Sequence, residues 1–289
     1  MSHLPIKLAL ACLLLGGCGR AADAAQASQD LTQTGPAGEH TTMMLDADAA
    51  RVTRVPPPRA DSVLYLISNV DGDGALSYPV ANGATINFWH GVHYRAQGRQ
   101  YYTGLAWFSP TVYGEDEQAW PDPGQQAVLA QATFVLDGNA AQPWRWEGSE
   151  PSIGRFGGYG RGNPVDGKRQ PQSWPLENGD LLLAVPSTYD VPGATGRALE
   201  ILHFSARLPG TVDDQRWRHL ATLEAGSDNS AGCGDANPHI PCSDVTGQLR
   251  FVGEPGQAWP VIEVAFPEDA AQQTQRYRYD PQGKTYRPT

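Results

Sequence analysis

Beyond Arg59 the chain consists of short apolar or alternating segments, separated by clusters of Gly, Pro, Asn and Asp. Alternation of apolar and polar residues is typical of a strand with one buried face, and a short continuous apolar run of a strand that is buried on both faces. Strands are therefore expected at residues 63–68, 84–95, 100–108, 127–136, 142–147, 181–185, 197–206, 216–223, 248–252 and 259–266.

Two places carry the turn residues of a hairpin. Gln97-Gly98 separates two segments that are rich in aromatic and β-branched residues, and near the end Asp280-Pro281-Gln282-Gly283 separates two Tyr- and Arg-containing segments. Proline presets φ for a turn, and glycine takes the left-handed position that other residues avoid. Both sites predict antiparallel pairing of the segments beside them.

This pattern predicts an all-β body over residues 60–289, a sandwich or barrel of about a dozen short strands with almost no helix. The 127–136 segment also contains enough Gln and Ala to permit a helix. Residues 148–179 are rich in Gly, Pro, Asn and Arg and mark a possible seam between two smaller β-domains.

The N-terminus is different, because Leu8–Leu15 is apolar throughout and follows His3 and Lys7. A bilayer span needs about 20 apolar residues, so this run is typical of a secretory signal peptide instead. It ends in Leu15-Gly16-Gly17-Cys18, which resembles the lipobox of bacterial lipoproteins. The alternatives are an ordinary signal peptide with a spare cysteine, or Cys12 as the modified residue after a shorter apolar run.

The resemblance implies a signal peptide at residues 1–17 and a lipid on Cys18, which becomes the new N-terminus. Several acyl chains hold a protein durably at a membrane. Gly19 rather than Asp follows the cysteine, which in a Gram-negative lipoprotein implies the outer membrane, facing the periplasm. Residues 18–59 are rich in Ala, Gln, Thr, Asp and Pro and predict a disordered linker between the lipid and the body.

The formal net charge of the 289-residue chain is −10, and removing residues 1–17 takes away Lys7 and no acidic residue. A body near −11 without a basic stripe is repelled by nucleic acid and by anionic headgroups. Nucleic acid is therefore not expected as a partner.

The four cysteines divide into three groups. Cys12 is removed with the signal peptide and Cys18 carries the lipid, so Cys233 and Cys242 remain. In an oxidising compartment these two are expected to form a disulfide. A metal site that uses both thiolates with Asp235 and His239 is the alternative, although its spacing matches no zinc pattern.

A weak calcium site is the first candidate for bound-ion chemistry. Asn69, Asp71 and Asp73, followed by Gly74, match the early oxygen-donor positions of an EF-hand loop. Val80 stands where a bidentate Glu belongs, and a strand is expected before the loop where an EF-hand has a helix. A plain turn between strands requires the same residues. No other cofactor is expected.

A weak ligand-binding site is the second candidate. Glu115 and Glu117 lie close to Trp120, and a glycosidase needs two carboxyl groups that flank the bond it cleaves. Adjacent acids in a loop are more often simply solvated. The sequence contains no Gly-x-Ser-x-Gly, His-Glu-x-x-His or Cys-x-x-Cys motif, so no catalytic residue is assigned.

Two functions follow from these observations. The first is a non-enzymatic envelope lipoprotein whose body binds another envelope protein or polymer. The second is a glycan-binding or glycan-cleaving periplasmic protein that uses Trp120, Glu115 and Glu117. A cleft in which the tryptophan lies between two converging carboxylates would favour the second function.

Overall fold

Strands make up most of the described chain, which covers residues 55–111, 122–137, 141–211, 214–234, 239–268, 270 and 272–289 of a computed structural model. Within these residues the one α-helix is α1 (Ala60–Ser68), and a 3-10 turn lies at Ala81–Gly83. The strands are β1 (Ser77–Pro79), β2 (Thr85–Ala96), β3 (Arg99–Phe108), β4 (Ala127–Leu136), β5 (Trp144–Phe156), β6 (Gln172–Pro175), β7 (Leu181–Val191), β8 (Ala194–Phe204), β9 (Trp217–Asp228), β10 (Asp244–Thr246), β11 (Gln248–Val252), β12 (Val261–Ala265), β13 (Gln275–Asp280) and β14 (Thr285–Pro288).

These strands form three antiparallel sheets, and one of the sheets curls into a half-barrel. The first sheet has the order β1-β2-β3-β4-β5, the second β10-β9-β8-β7-β6 and the third β11-β12-β13-β14. Each strand pairs with its neighbour in sequence, so short turns suffice to connect most of them. The all-β, sandwich-like body predicted from the alternation is confirmed.

The second sheet is buried on both faces. Leu181, Leu183 and Val185 of β7 pack against the first sheet, whereas Leu182 and Ala184 pack against the third. All five side chains are at most 4 % exposed. This position explains why residues 181–185 are continuously apolar while the outer strands alternate, since a strand with two buried faces has no polar side.

Helix α1 covers the outer face of the first sheet. The sequence prediction of a strand at residues 63–68 is wrong, because Val63, Leu64 and Ile67 lie on one helical face and pack on the sheet. Their spacing of three and four residues fits a helical stripe. Asn69, with φ 56°, ends the helix in the left-handed conformation and donates its N–H to Tyr65 O.

Both predicted hairpins are present. Ala96 pairs with Arg99 across Gln97 and Gly98, which both have positive φ. In the last hairpin Asp280 pairs with Thr285. The prediction that Gly283 takes the left-handed position of this turn is wrong. Lys284, with φ 50°, takes that position in the four-residue loop.

A chain of hydrogen bonds crosses the core between the first and second sheets. It consists in order of Tyr94, Thr103, Thr133, Gln131 and Glu150. The Glu150 carboxylate accepts the backbone N–H groups of Arg216, at 2.6 Å, and Trp217, at 3.0 Å, where β9 begins. The chain therefore joins the two sheets through polar contacts that satisfy each buried group.

Two predicted boundaries fall on described residues. The seam at 148–179 contains the second half of β5 and all of β6, and a division of the body there stays a prediction. At the end of the expected linker, Trp144 Nε1 donates to Pro56 O at 2.7 Å. The chain is therefore attached to β5 four residues before helix α1 begins.

Candidate functional site

The predicted ligand-binding residues Trp120, Glu115 and Glu117 lie outside the described residues, which omit 112–121. A cleft formed by these three side chains stays a prediction from the sequence.

The candidate calcium site at Asn69, Asp71 and Asp73 follows helix α1, so the prediction of a strand before it is wrong. Asn69 ends α1, and Asp71 Oδ1 accepts the N–H of Asp73 at 3.0 Å, as in a turn closed by its own aspartate. Among the described residues no group of three or more His, Cys, Asp and Glu side chains could hold a metal ion. Calcium at Asn69, Asp71 and Asp73 therefore stays a prediction.

Cys233 and Cys242 form a disulfide between β9 and β10, with 5.2 Å between their Cα atoms. Beside it, the side chain of Asn229 donates to Pro241 O at 3.0 Å and accepts the N–H of Ser243 at 2.7 Å. The bridge and the asparagine together hold the two ends of this loop, whose residues 235–238 are not described. Because the thiols are joined, a metal bound through both thiolates is not compatible with this structure.

Mass spectrometry of the exported protein tests this bridge directly. Tryptic digestion without reduction should release residues 219–250 as one peptide that contains both cysteines in an internal bridge, because no Lys or Arg lies between them and an oxidising compartment favours the pairing that the geometry allows. Reduction should raise the mass of this peptide by two hydrogens. Free thiols at both positions in the exported protein would contradict the pairing.

A buried carboxylate, Glu200 of β8, forms one candidate site. Its side chain is 0 % exposed. Four side chains surround the two oxygens: Asn163 Nδ2 at 2.8 Å, Ser187 Oγ at 2.9 Å, His219 Nε2 at 2.9 Å and Thr222 Oγ1 at 2.6 Å. Burial by itself raises the pKa of Glu200, but hydrogen bonding and electrostatic attraction from His219, with the bonds from Thr222 and Asn163, lower it below its usual value.

The residue types Ser187, His219 and Glu200 are those of a hydrolase triad, but their arrangement is different. In a triad the histidine lies between the other two, so that it can take the serine proton. Here Ser187 donates directly to Glu200, and its side chain is 0 % exposed. The cluster therefore holds β7, β8 and β9 together and presents no nucleophile to a substrate.

A second candidate is a cluster of three arginines around Glu147, which we call the arginine cluster: Arg99 of β3, Arg145 of β5 and Arg216 just before β9. Arg99 Nη2 lies 2.8 Å and Arg145 Nη2 lies 3.2 Å from the same oxygen, Glu147 Oε1. Arg216 Nη2 lies 2.8 Å from Oε2. One carboxylate on the edge strand of the first sheet therefore brings together three guanidinium groups from three strand ends.

The three arginines differ in exposure. The side chain of Arg216 is 5 % exposed, whereas those of Arg99 and Arg145 are 45 % and 51 % exposed. The guanidinium of Arg216 lies 5.5 Å from the ring of Tyr101 and 5.1 Å from that of Phe204, so aromatic faces enclose the buried cation. Its Nε and Nη1 atoms have no hydrogen-bond acceptor among the described residues.

Sequence reasoning did not find the arginine cluster. Arg99, Arg145 and Arg216 are far apart along the chain, and each lies beside polar residues in an ordinary strand or loop segment. The register that pairs β3 with β4 and β4 with β5 places Tyr101, Val135 and Arg145 in one row, and Arg99 lies two residues from Tyr101 on β3.

Comparison with known proteins gives no relative for this chain: no family model, no curated protein and no solved structure matches it. The part of the chain that the structure describes contains no helix that is both long and apolar enough to cross a membrane.

Proposed function

We propose that the protein is a cell-envelope lipoprotein, attached by a lipid on Cys18 to the outer membrane on its periplasmic side, whose β-body binds another envelope protein or polymer. The observation that carries this proposal is the disulfide Cys233–Cys242. Disulfides persist in exported proteins and are rare in the reducing cytosol. The bridge therefore supports export, which the lipobox-like Leu15-Gly16-Gly17-Cys18 independently predicts.

Surface groups support binding as the role of the body. Trp146 on the edge strand β5 is 49 % exposed, and its sequence neighbour Arg145 presents a half-exposed guanidinium. Exposed tryptophan and arginine are the residue types that contribute most to protein recognition. The carboxylates of the partly buried Glu150 and the buried Glu200, in contrast, are occupied by hydrogen bonds within the body.

Labelling with radioactive palmitate in cells tests the lipid anchor. The wild-type protein should incorporate label and sediment with the membranes, and Cys18→Ala should lose the label and appear in the soluble fraction. The acyl chains contribute about 0.8 kcal/mol for each buried methylene, and this attachment is lost with the thiol.

Cys12→Ala is the matched control, since it removes the other cysteine of the same segment. It should keep both the label and the membrane association. Label on Cys18→Ala, or loss of label from Cys12→Ala alone, would show that the lipid is elsewhere and would overturn the proposal.

A further inference from the structure

The arginine cluster contains more guanidinium groups than the carboxylates in direct ionic contact with them. The guanidinium groups of Arg99, Arg145 and Arg216 are in ionic contact with two carboxylates, Glu147 and Asp137. Glu150 also lies near, and its carboxylate accepts the backbone N–H groups of Arg216 and Trp217 and the side-chain amide of Gln131. In their direct ionic contacts three guanidinium groups therefore share two carboxylates, in a chain whose formal net charge is −10.

Another exposed arginine pair shows what a balanced cluster looks like on the same protein. Arg276 and Arg278 of β13 contact Glu254 and Glu263, so two cations meet two anions. Their side chains are 47 % and 52 % exposed, close to the values for Arg99 and Arg145. The surplus of guanidinium groups over directly contacting carboxylates is therefore not a general property of the arginines on this surface.

Burial makes the positive charge of Arg216 costly. Arg216 is almost completely removed from water, and a buried cation needs a close anion to offset the lost hydration. Glu147 Oε2 is within 2.8 Å of Arg216 Nη2, but without the alignment of a hydrogen bond, and Glu147 is shared with two more arginines. An additional anion on the solvent-exposed side of the cluster, which we call its open side, would offset the charge of Arg216.

The open side is formed by Arg99 and Arg145. Both approach one oxygen atom, so their Nη2 atoms lie within about 6 Å of each other, a separation that the oxygens of one tetrahedral anion can bridge. Among the described residues, the hydrogen bonds of each guanidinium use two of its five N–H donors, and both side chains are half exposed. Two guanidinium groups with unused donors suit a phosphate, which binds arginine through paired hydrogen bonds.

We propose that the arginine cluster binds a phosphate group, held between Arg99 and Arg145 above the buried Arg216. This inference goes beyond the proposed function, since it adds to the β-body a ligand of stated chemistry. Phosphate can come from free inorganic phosphate or from an exposed phosphate monoester of a lipid headgroup. The net negative charge of the chain repels nucleic acid and a uniformly anionic membrane surface, whereas the local surplus of guanidinium groups accommodates one phosphate group.

Calorimetric titration of the purified full-length protein with inorganic phosphate, at physiological and constant ionic strength, tests the site. The wild type should bind phosphate at one site, and the double variant Arg99→Gln/Arg145→Gln should lose affinity at least about tenfold, because two charge-assisted contacts disappear. Asp137→Asn should change affinity in the opposite direction, because it removes a carboxylate that competes for Arg145.

The matched control is Arg276→Gln/Arg278→Gln, which removes the same charge from the balanced pair and should change affinity by less than about twofold. Sedimentation with phosphatidylcholine vesicles, with and without phosphatidic acid, distinguishes the sources of phosphate. Binding of inorganic phosphate alone would assign the site to the free ion, and additional recruitment to phosphatidic acid would assign it to a headgroup.

Absence of binding to both probes, or an equal loss in the control pair, would overturn the phosphate site. Neither result bears on palmitate labelling at Cys18, so the lipoprotein proposal and the phosphate site can fail separately. Circular dichroism of each variant should match the wild type, since the substituted arginines are half exposed.

Discussion

Glu200→Ala is expected to lower the free energy of unfolding by about 3–5 kcal/mol, the range for removing one partner from a buried charged network. The substitution leaves the donors of Asn163, Ser187 and Thr222 without their acceptor, and the side chain they surround is 0 % exposed. Each unpaired buried polar group adds to the loss. Urea unfolding followed by tryptophan fluorescence measures the difference.

Glu263→Ala is the control for this substitution. Glu263 is a partly exposed carboxylate of β12 that pairs with Arg276 at 3.0 Å, and ion pairs near the surface contribute about 0–1 kcal/mol. Its removal should therefore shift the urea midpoint only slightly. If both substitutions shifted it equally, Glu200 would not hold the three strands together.

The same network should make stability depend on pH in a defined direction. Because the pKa of Glu200 is lower in the folded protein than in the unfolded chain, ionised Glu200 contributes its full stabilisation above about pH 4.3, the unfolded value. That contribution is lost as the pH falls through this value towards the lower folded pKa. The stability difference between wild type and Glu200→Gln should therefore shrink on acidification, and a difference that grew would contradict the shifted pKa.

The alternation of side chains along the sequence predicted the strands because each outer strand has one buried and one solvated face. It also predicted residues 181–185 as buried, since a central strand has no polar side. It did not predict α1, because residues 63–68 contain β-branched and aromatic side chains that suit a strand equally well. The segment is a helix because of the surface onto which it packs, which is formed by β2, β3, β4 and β5. The local sequence of residues 63–68 contains no information about that surface.

The candidate sites were less predictable than the fold for the same reason. The disulfide was predicted from a count of four cysteines, of which two remain if Cys12 is removed and Cys18 is lipidated as the sequence predicts. Glu200 and the arginine cluster depend on strand register instead. The hydrogen-bond partners of Glu200 lie 13 to 37 residues away from it in the sequence. Arg99 and Glu147 are separated by 48 residues. A one-residue change in pairing would point these side chains to the opposite face of the sheet.

Gly104→Ala is expected to destabilise the protein by up to about 3 kcal/mol, as inserting a methyl group into a filled core does. A Cβ atom at Gly104 would lie 2.5 Å from both γ-carbons of Val63, closer than packed atoms approach. Val63 is 0 % exposed and β-branched, so it cannot turn aside, and α1 would have to move off the sheet. Urea unfolding of Gly167→Ala is the control, because a Cβ there meets nothing within 4 Å.

A double-mutant cycle shows whether the loss comes from this contact. Val63→Ala alone should cost about 1–3 kcal/mol through the cavity it leaves, but in Gly104→Ala it removes the two methyl groups that clash. The double variant should therefore be more stable than the sum of the two single losses predicts, by about 1–2 kcal/mol. Additive losses would show that α1 does not rest on Gly104. A favourable coupling would establish that the absence of a side chain on β3 is what allows residues 60–68 to dock as a helix.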